Sequence, residues 1–103
     1  MNTANAFEAV VNQHGREFYL KNGNYEKKRK GIFSPYFYSN KSYKPLTPYE
    51  KQFLRLQVLP NVPIYTTSRV TLDGKEYEVK SVRDFEKERK VLYKTAVLRL
   101  LRE

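Results

Sequence analysis

The dipeptide Asp73-Gly74 stands between two β-prone runs, Arg69-Val70-Thr71-Leu72 and Lys75-Glu76-Tyr77-Glu78-Val79-Lys80-Ser81-Val82. A two-residue hairpin turn of type I′ needs positive φ at both central positions, and Asp-Gly supplies it at little steric cost. Alternation agrees on both sides. Val70 and Leu72 fall on one face of the first run, and Tyr77, Val79 and Ser81 alternate with Glu76, Glu78 and Lys80 on the second. A half-buried antiparallel hairpin is therefore expected, and the fold must be built around a sheet.

The segments around this hairpin carry weaker signals. Residues 86–102 allow two readings, a helix capped by Asp84 or a polar loop followed by a strand. In the second, Leu92, Lys94, Ala96, Leu98 and Leu100 share one face, and Tyr93, Thr95, Val97, Arg99 and Leu101 the other. Residues 16–21 read as a short strand and Asn22-Gly23-Asn24 as a turn. Residues 25–30 read as a polar, basic loop. Residues 31–38 read as a strand that Pro35 demotes to an edge or a broken strand. Residues 39–48, with Pro45 and Pro48, read as loop; residues 49–59 as a short helix or a strand. Pro60 and Pro63 bracket an extended connection. At the front, Thr3 is a candidate helix cap and Gly15 a candidate stop. Phe7, Val10 and Val11 make a narrow apolar stripe at helical spacing, and so short a helix must dock on its own domain or on a neighbouring subunit. The expected class is mainly β, in one domain over residues 1–103: a helical segment at 1–15, a basic aromatic region with a long Pro-containing loop at 16–64, and the hairpin plus a final strand at 65–103.

Size and composition exclude several function classes. A chain of 103 residues hides about 65% of its surface on folding, enough for one small core and no separate catalytic domain. With no cysteine and a single histidine, His14, thiolate sites, disulfides and histidine metal clusters are excluded, and no cofactor is expected. No apolar run approaches the roughly 18 residues of a membrane span, and residues 1–12 lack a secretory pattern, so assembly in the cytoplasm is the expectation. Glycine-rich nucleotide loops, His-Glu-x-x-His and Gly-x-Ser-x-Gly do not occur. Glu76 and Glu78 could pair as acid and base, but two carboxylates on one strand face are more often solvent-facing charge. His14 next to Gly15 reads as a helix-end histidine favoured by the dipole rather than a general base. No enzymatic activity is expected.

The net charge of +9 is unevenly placed: residues 16–55 hold ten of the 20 Lys and Arg, against three Glu, and ten of the fifteen aromatics. Lys27, Lys28, Arg29 and Lys30, with Lys41 and Lys44, are candidates for phosphate contact in a nucleic acid or a channel lumen. The interleaved Tyr25, Phe33, Tyr36, Phe37, Tyr38 and Tyr43 could stack on unpaired bases. The competing view is a solvated basic loop beside tyrosines that pack in a core or an interface. Ile32, Phe33, Tyr36, Phe37 and Tyr38 are more apolar bulk than one small core requires, so Phe33, Tyr36, Phe37 and Tyr38, with Phe7, Val10 and Val11, are candidates for a contact between subunits.

Residues 69–84, a charged turn, and Tyr93-Lys94-Thr95-Ala96-Val97-Leu98-Arg99-Leu100 resemble the C-terminal half of tailed-phage head-closure proteins, also called stoppers, head–tail joining proteins or minor capsid proteins. The shared features are a strand, a turn with glycine, the run Glu76-Tyr77-x-Val79-x-x-Val82, a charged loop, and a final strand of apolar residues alternating with arginine. The resemblance covers about residues 65–102 and departs at the front, where such proteins open on a strand and this chain on a helical segment. It implies a small antiparallel β-barrel or sandwich, with residues 93–101 paired to residues 75–82. It also implies a six- or twelve-fold ring between portal or adaptor proteins and tail proteins, with sequence-blind contact to packaged DNA, a place at the head–tail interface of the virion, and no membrane. The loop at 39–63 would reach neighbours or gate the channel. Two rival functions remain: a single-stranded nucleic-acid or RNA-binding module, resting on residues 27–30 and the tyrosines, and a tail-completion or tail-terminator protein.

Overall fold

The computed structural model describes residues 3–35 and 53–102. In chain order the elements are α1 (Thr3–His14), β1 (Arg16–Asn22), β2 (Tyr25–Pro35), β3 (Phe53–Val58), β4 (Arg69–Leu72), β5 (Lys75–Lys87) and β6 (Lys90–Arg102). The strands close into an antiparallel barrel in the order β1-β2-β3-β6-β5-β4. The mainly β class, the barrel and the N-terminal helix are as expected from the sequence.

The Asp73-Gly74 turn forms as its chemistry requires, with φ of 52° and 80° and Leu72 facing Lys75 across it. Residues 86–102 are resolved in favour of strand: β6 pairs with β5 through Tyr77–Leu100 and Val79–Leu98, and then on to Lys87–Lys90. Leu92, Ala96 and Leu98 are buried, so the even-numbered face of β6 points inward. On β5 the alternation shifts. Val79 faces Leu98 while Ser81 faces Val97, so Lys80 is an extra, bulged residue and Val82 rather than Ser81 joins the core.

Three readings need correction. Residues 25–30 are not a loop: they form the first half of β2, paired with β1 from Asn22–Tyr25 to Arg16–Gly31. The cations there tolerate a strand because most of their side chains lie in solvent. β2 is not an edge either, since residues 32–35 pair with β3. Pro35 is accommodated as its last residue, where a missing N–H costs little. Third, residues 39–63 do not make one loop. Their last part contains β3, and Pro60 and Pro63 shape turns rather than an extended link: the Val62 N–H donates to the Leu59 carbonyl at 3.1 Å and the Ile64 N–H to the Val62 carbonyl at 2.9 Å. The expected loop at 39–48 lies outside the described residues.

These turns push Val62 and Ile64 into one mouth of the barrel, where both are buried against Phe18, Leu20 and Leu98 in the core cluster. The plug is tied down by polar contacts. Asn22 Nδ2 donates to the Pro63 carbonyl at 2.9 Å, the buried Ser68 hydroxyl donates to Asn22 Oδ1, and Ser68 Oγ accepts the Tyr65 N–H at 2.9 Å. Lys94 Nζ adds a bond to the Val62 carbonyl at 3.0 Å. Helix α1 ends where Gly15 was expected to stop it, with the Gly15 N–H donating to the Val11 carbonyl at 2.8 Å. It packs on β2 and β6.

Candidate functional site

The basic run divides between the two faces of β2. Lys28 and Lys30 alternate with Lys27 and Arg29, so four adjacent cations do not make one patch. Lys28 lies 3.3 Å from Glu17 across the β1–β2 ladder and 6.0 Å from the Tyr19 ring centre. The Glu17 carboxylate, as hydrogen-bond acceptor and then as charge, raises the Lys28 pKa above its ordinary value, with the Tyr19 phenol adding to it. Lys30 Nζ donates to the Asn12 carbonyl at 3.0 Å near the end of α1, a favourable place for a cation. Arg29 is half-buried, and its Nε is buried with no hydrogen-bond partner among the described residues. Lys27 is exposed. Lys41 and Lys44 lie outside the described residues.

The apolar candidates also divide. Val11 is buried, and Phe33 packs edge-on against Phe18 with centroids 5.5 Å apart, so both serve the chain's own packing. Phe7 is half-buried against Tyr93, while Val10 is 44% exposed. Tyr36, Phe37 and Tyr38 lie outside the described residues. Glu78 sits 3.6 Å from both Lys80 Nζ and Arg99, so it is an ion-paired surface carboxylate. His14 is exposed at the end of α1, and among the described residues no group of three His, Cys, Asp or Glu could hold a metal.

The feature that sequence reading missed is the outer half of the β5–β6 hairpin. Among the described residues, β4 pairs only with residues 75–78 of β5 and β3 only with residues 94–99 of β6. The ribbon from Phe85–Tyr93 to Lys87–Lys90 therefore runs on past both neighbours as a two-stranded arm. Its turn residues, Glu88 and Arg89, both have positive φ, 54° and 65°, without a glycine. Cross-strand partners share a face. Register thus puts Arg83, Phe85, Lys87, Lys90 and Tyr93 on one side, and Asp84, Glu86 and Val91 on the other.

The signal was present in the sequence at strand period. Asp84, Glu86 and Glu88 recur every second residue, with Arg83, Phe85, Lys87 and Arg89 between them. Without a glycine or asparagine at 88–89 nothing marked the turn.

On the basic face three rings form a continuous stack. Phe7 and Tyr93 have centroids 4.9 Å apart at 29°, and Tyr93 and Phe85 4.7 Å apart at 8°. Phe85 ends the stack and is 47% exposed. Beside it a groove of about 360 Å³ is lined by Arg55, Arg83, Asp84, Phe85 and Val97. No family model, curated protein or solved structure matches this chain.

Proposed function

We propose that this chain is a structural component of a tailed-phage head–tail connector: a head-closure protein that assembles as a ring between portal or adaptor and tail, without catalysis. The observation that carries this reading is the arm. Residues 85–91 extend past the neighbouring strands as a ribbon in which every side chain but Val91 is exposed, a costly arrangement unless something outside the subunit covers it. The barrel body is complete without it.

Two further features support assembly. Tyr25 and Tyr65, 59% and 54% exposed, occupy the same end of the barrel, the first paired with Asn22 and the second bonded to Ser68. Tyrosine rings in such positions are favoured contacts for a neighbouring protein. The hairpin and final strand on which the head-closure resemblance rests are adjacent strands, in the pairing the resemblance implies.

Light scattering of the purified chain, alone and mixed with portal–adaptor complexes, tests the proposal. Rings, or stable addition to those complexes, are expected. A chain that stays monomeric and joins no complex at any salt concentration overturns it.

A further inference from the structure

We propose that the basic face of the β5–β6 arm binds single-stranded nucleic acid, with a base stacked on Phe85 and backbone phosphates held by Arg83, Lys87 and Lys90. The site differs from the basic run on β2 and stands independently of the connector reading, because it concerns what the isolated chain binds.

Phe85 ends the three-ring stack through Tyr93 to Phe7, and nearly half of it is exposed. A stack with one open end is extended naturally by another flat ring, and unpaired bases stack on exposed aromatics whatever their identity. A duplex keeps its bases inside and leaves such a ring unused.

The cations decide what the flat ring is attached to. Arg83 precedes Phe85 by two residues on the same strand face, Lys87 follows it by two, and Lys90 faces Lys87 across the ladder. Among the described residues none of the three forms a salt bridge, whereas Lys28 on β2 is held by Glu17. Arg83 and Lys87, four residues apart, lie roughly 13 Å from one another along the strand, so a nucleic-acid strand whose base stacks on Phe85 meets a cation on either side of it. The acidic residues Asp84 and Glu86 face the other way, so a polyanion is admitted from one side only. The 360 Å³ groove beside Phe85 offers the Arg83 guanidinium as donor to a base edge.

Fluorescence anisotropy with a labelled oligothymidylate of about 15 nucleotides, and with a duplex of equal length, tests the inference on the whole chain. Tighter binding of the single strand is expected. Phe85→Leu should weaken it about tenfold with little change in salt dependence. Lys87→Ala and Lys90→Ala should each flatten the slope of log affinity against log salt by about 0.7. All three positions are exposed, and a thermal melt verifies that each variant folds. Lys27→Ala, on β2, should leave both quantities unchanged. Equal affinity for duplex and single strand, parental binding by Phe85→Leu, or a loss confined to Lys27→Ala overturns the inference.

Discussion

A Cβ placed on Gly31 would stand 2.6 Å from Leu56 Cδ1 and 2.9 Å from the Gln57 carbonyl oxygen. At this point β2 passes from pairing with β1 to pairing with β3, and its backbone lies directly against the core layer that Leu56 and Val58 build. Gly31→Ala is therefore expected to destabilise the barrel by about 1–3 kcal/mol through overpacking, because the carbonyl cannot turn aside as a side chain could. Urea denaturation measures this; an unchanged midpoint would show that the strands can separate freely here.

The arm's turn carries strain of a different kind. Glu88 and Arg89 both adopt left-handed backbone conformations, which cost a side-chain-bearing residue about 1 kcal/mol or more each. Replacing the pair by Asn-Gly should raise stability by about 1–2 kcal/mol, a gain of several degrees in melting temperature for a chain of this size. Calorimetry tests it. A lower melting temperature would mean that the side chains of Glu88 and Arg89 contribute more than their backbones cost.

Asn22 joins the plug to the barrel rim, accepting from Ser68 and donating to the Pro63 carbonyl. Asn22→Ala leaves the buried Ser68 hydroxyl without its acceptor and should cost about 1–3 kcal/mol. Hydrogen exchange at the Ile64 amide should accelerate more than exchange at Leu98, since the plug opens before the sheet does. Equal acceleration at both would tie the plug to global unfolding.

Lys28 provides a pH signature. Its pKa is raised from 10.5 by the hydrogen bond to Glu17, by the Glu17 charge and by Tyr19. A raised folded value means that the contact contributes fully below 10.5 and is lost as pH climbs through the higher folded value. Both side chains are more than half exposed, so the effect should be read by NMR titration of the Lys28 Nζ environment rather than by stability. Glu17→Gln should lower the midpoint toward 10.5. An unchanged midpoint would remove Glu17 as the cause.

The sequence by itself determined whatever short range dictates. Asp73-Gly74 turned the chain because only positive φ closes a two-residue hairpin. Thr3–His14 coiled and Gly15 ended it. The period of two in residues 92–100 separated an inner from an outer face once strand was granted. The resemblance added the pairing of the final strand, which residue patterns had left open against a helix. Tertiary structure decided the rest. Residues 25–30 became strand because β1 offers a complete ladder beside them, and the gain in pairing outweighs their weak preference. Lys80 bulged so that Val82 could reach the core. Pro60 and Pro63 folded the loop inward because the barrel had an apolar mouth to fill. The Glu88-Arg89 turn is held by the ladder behind it and not by its own residues, so the arm, with the face it presents, appears only when both strands are in place.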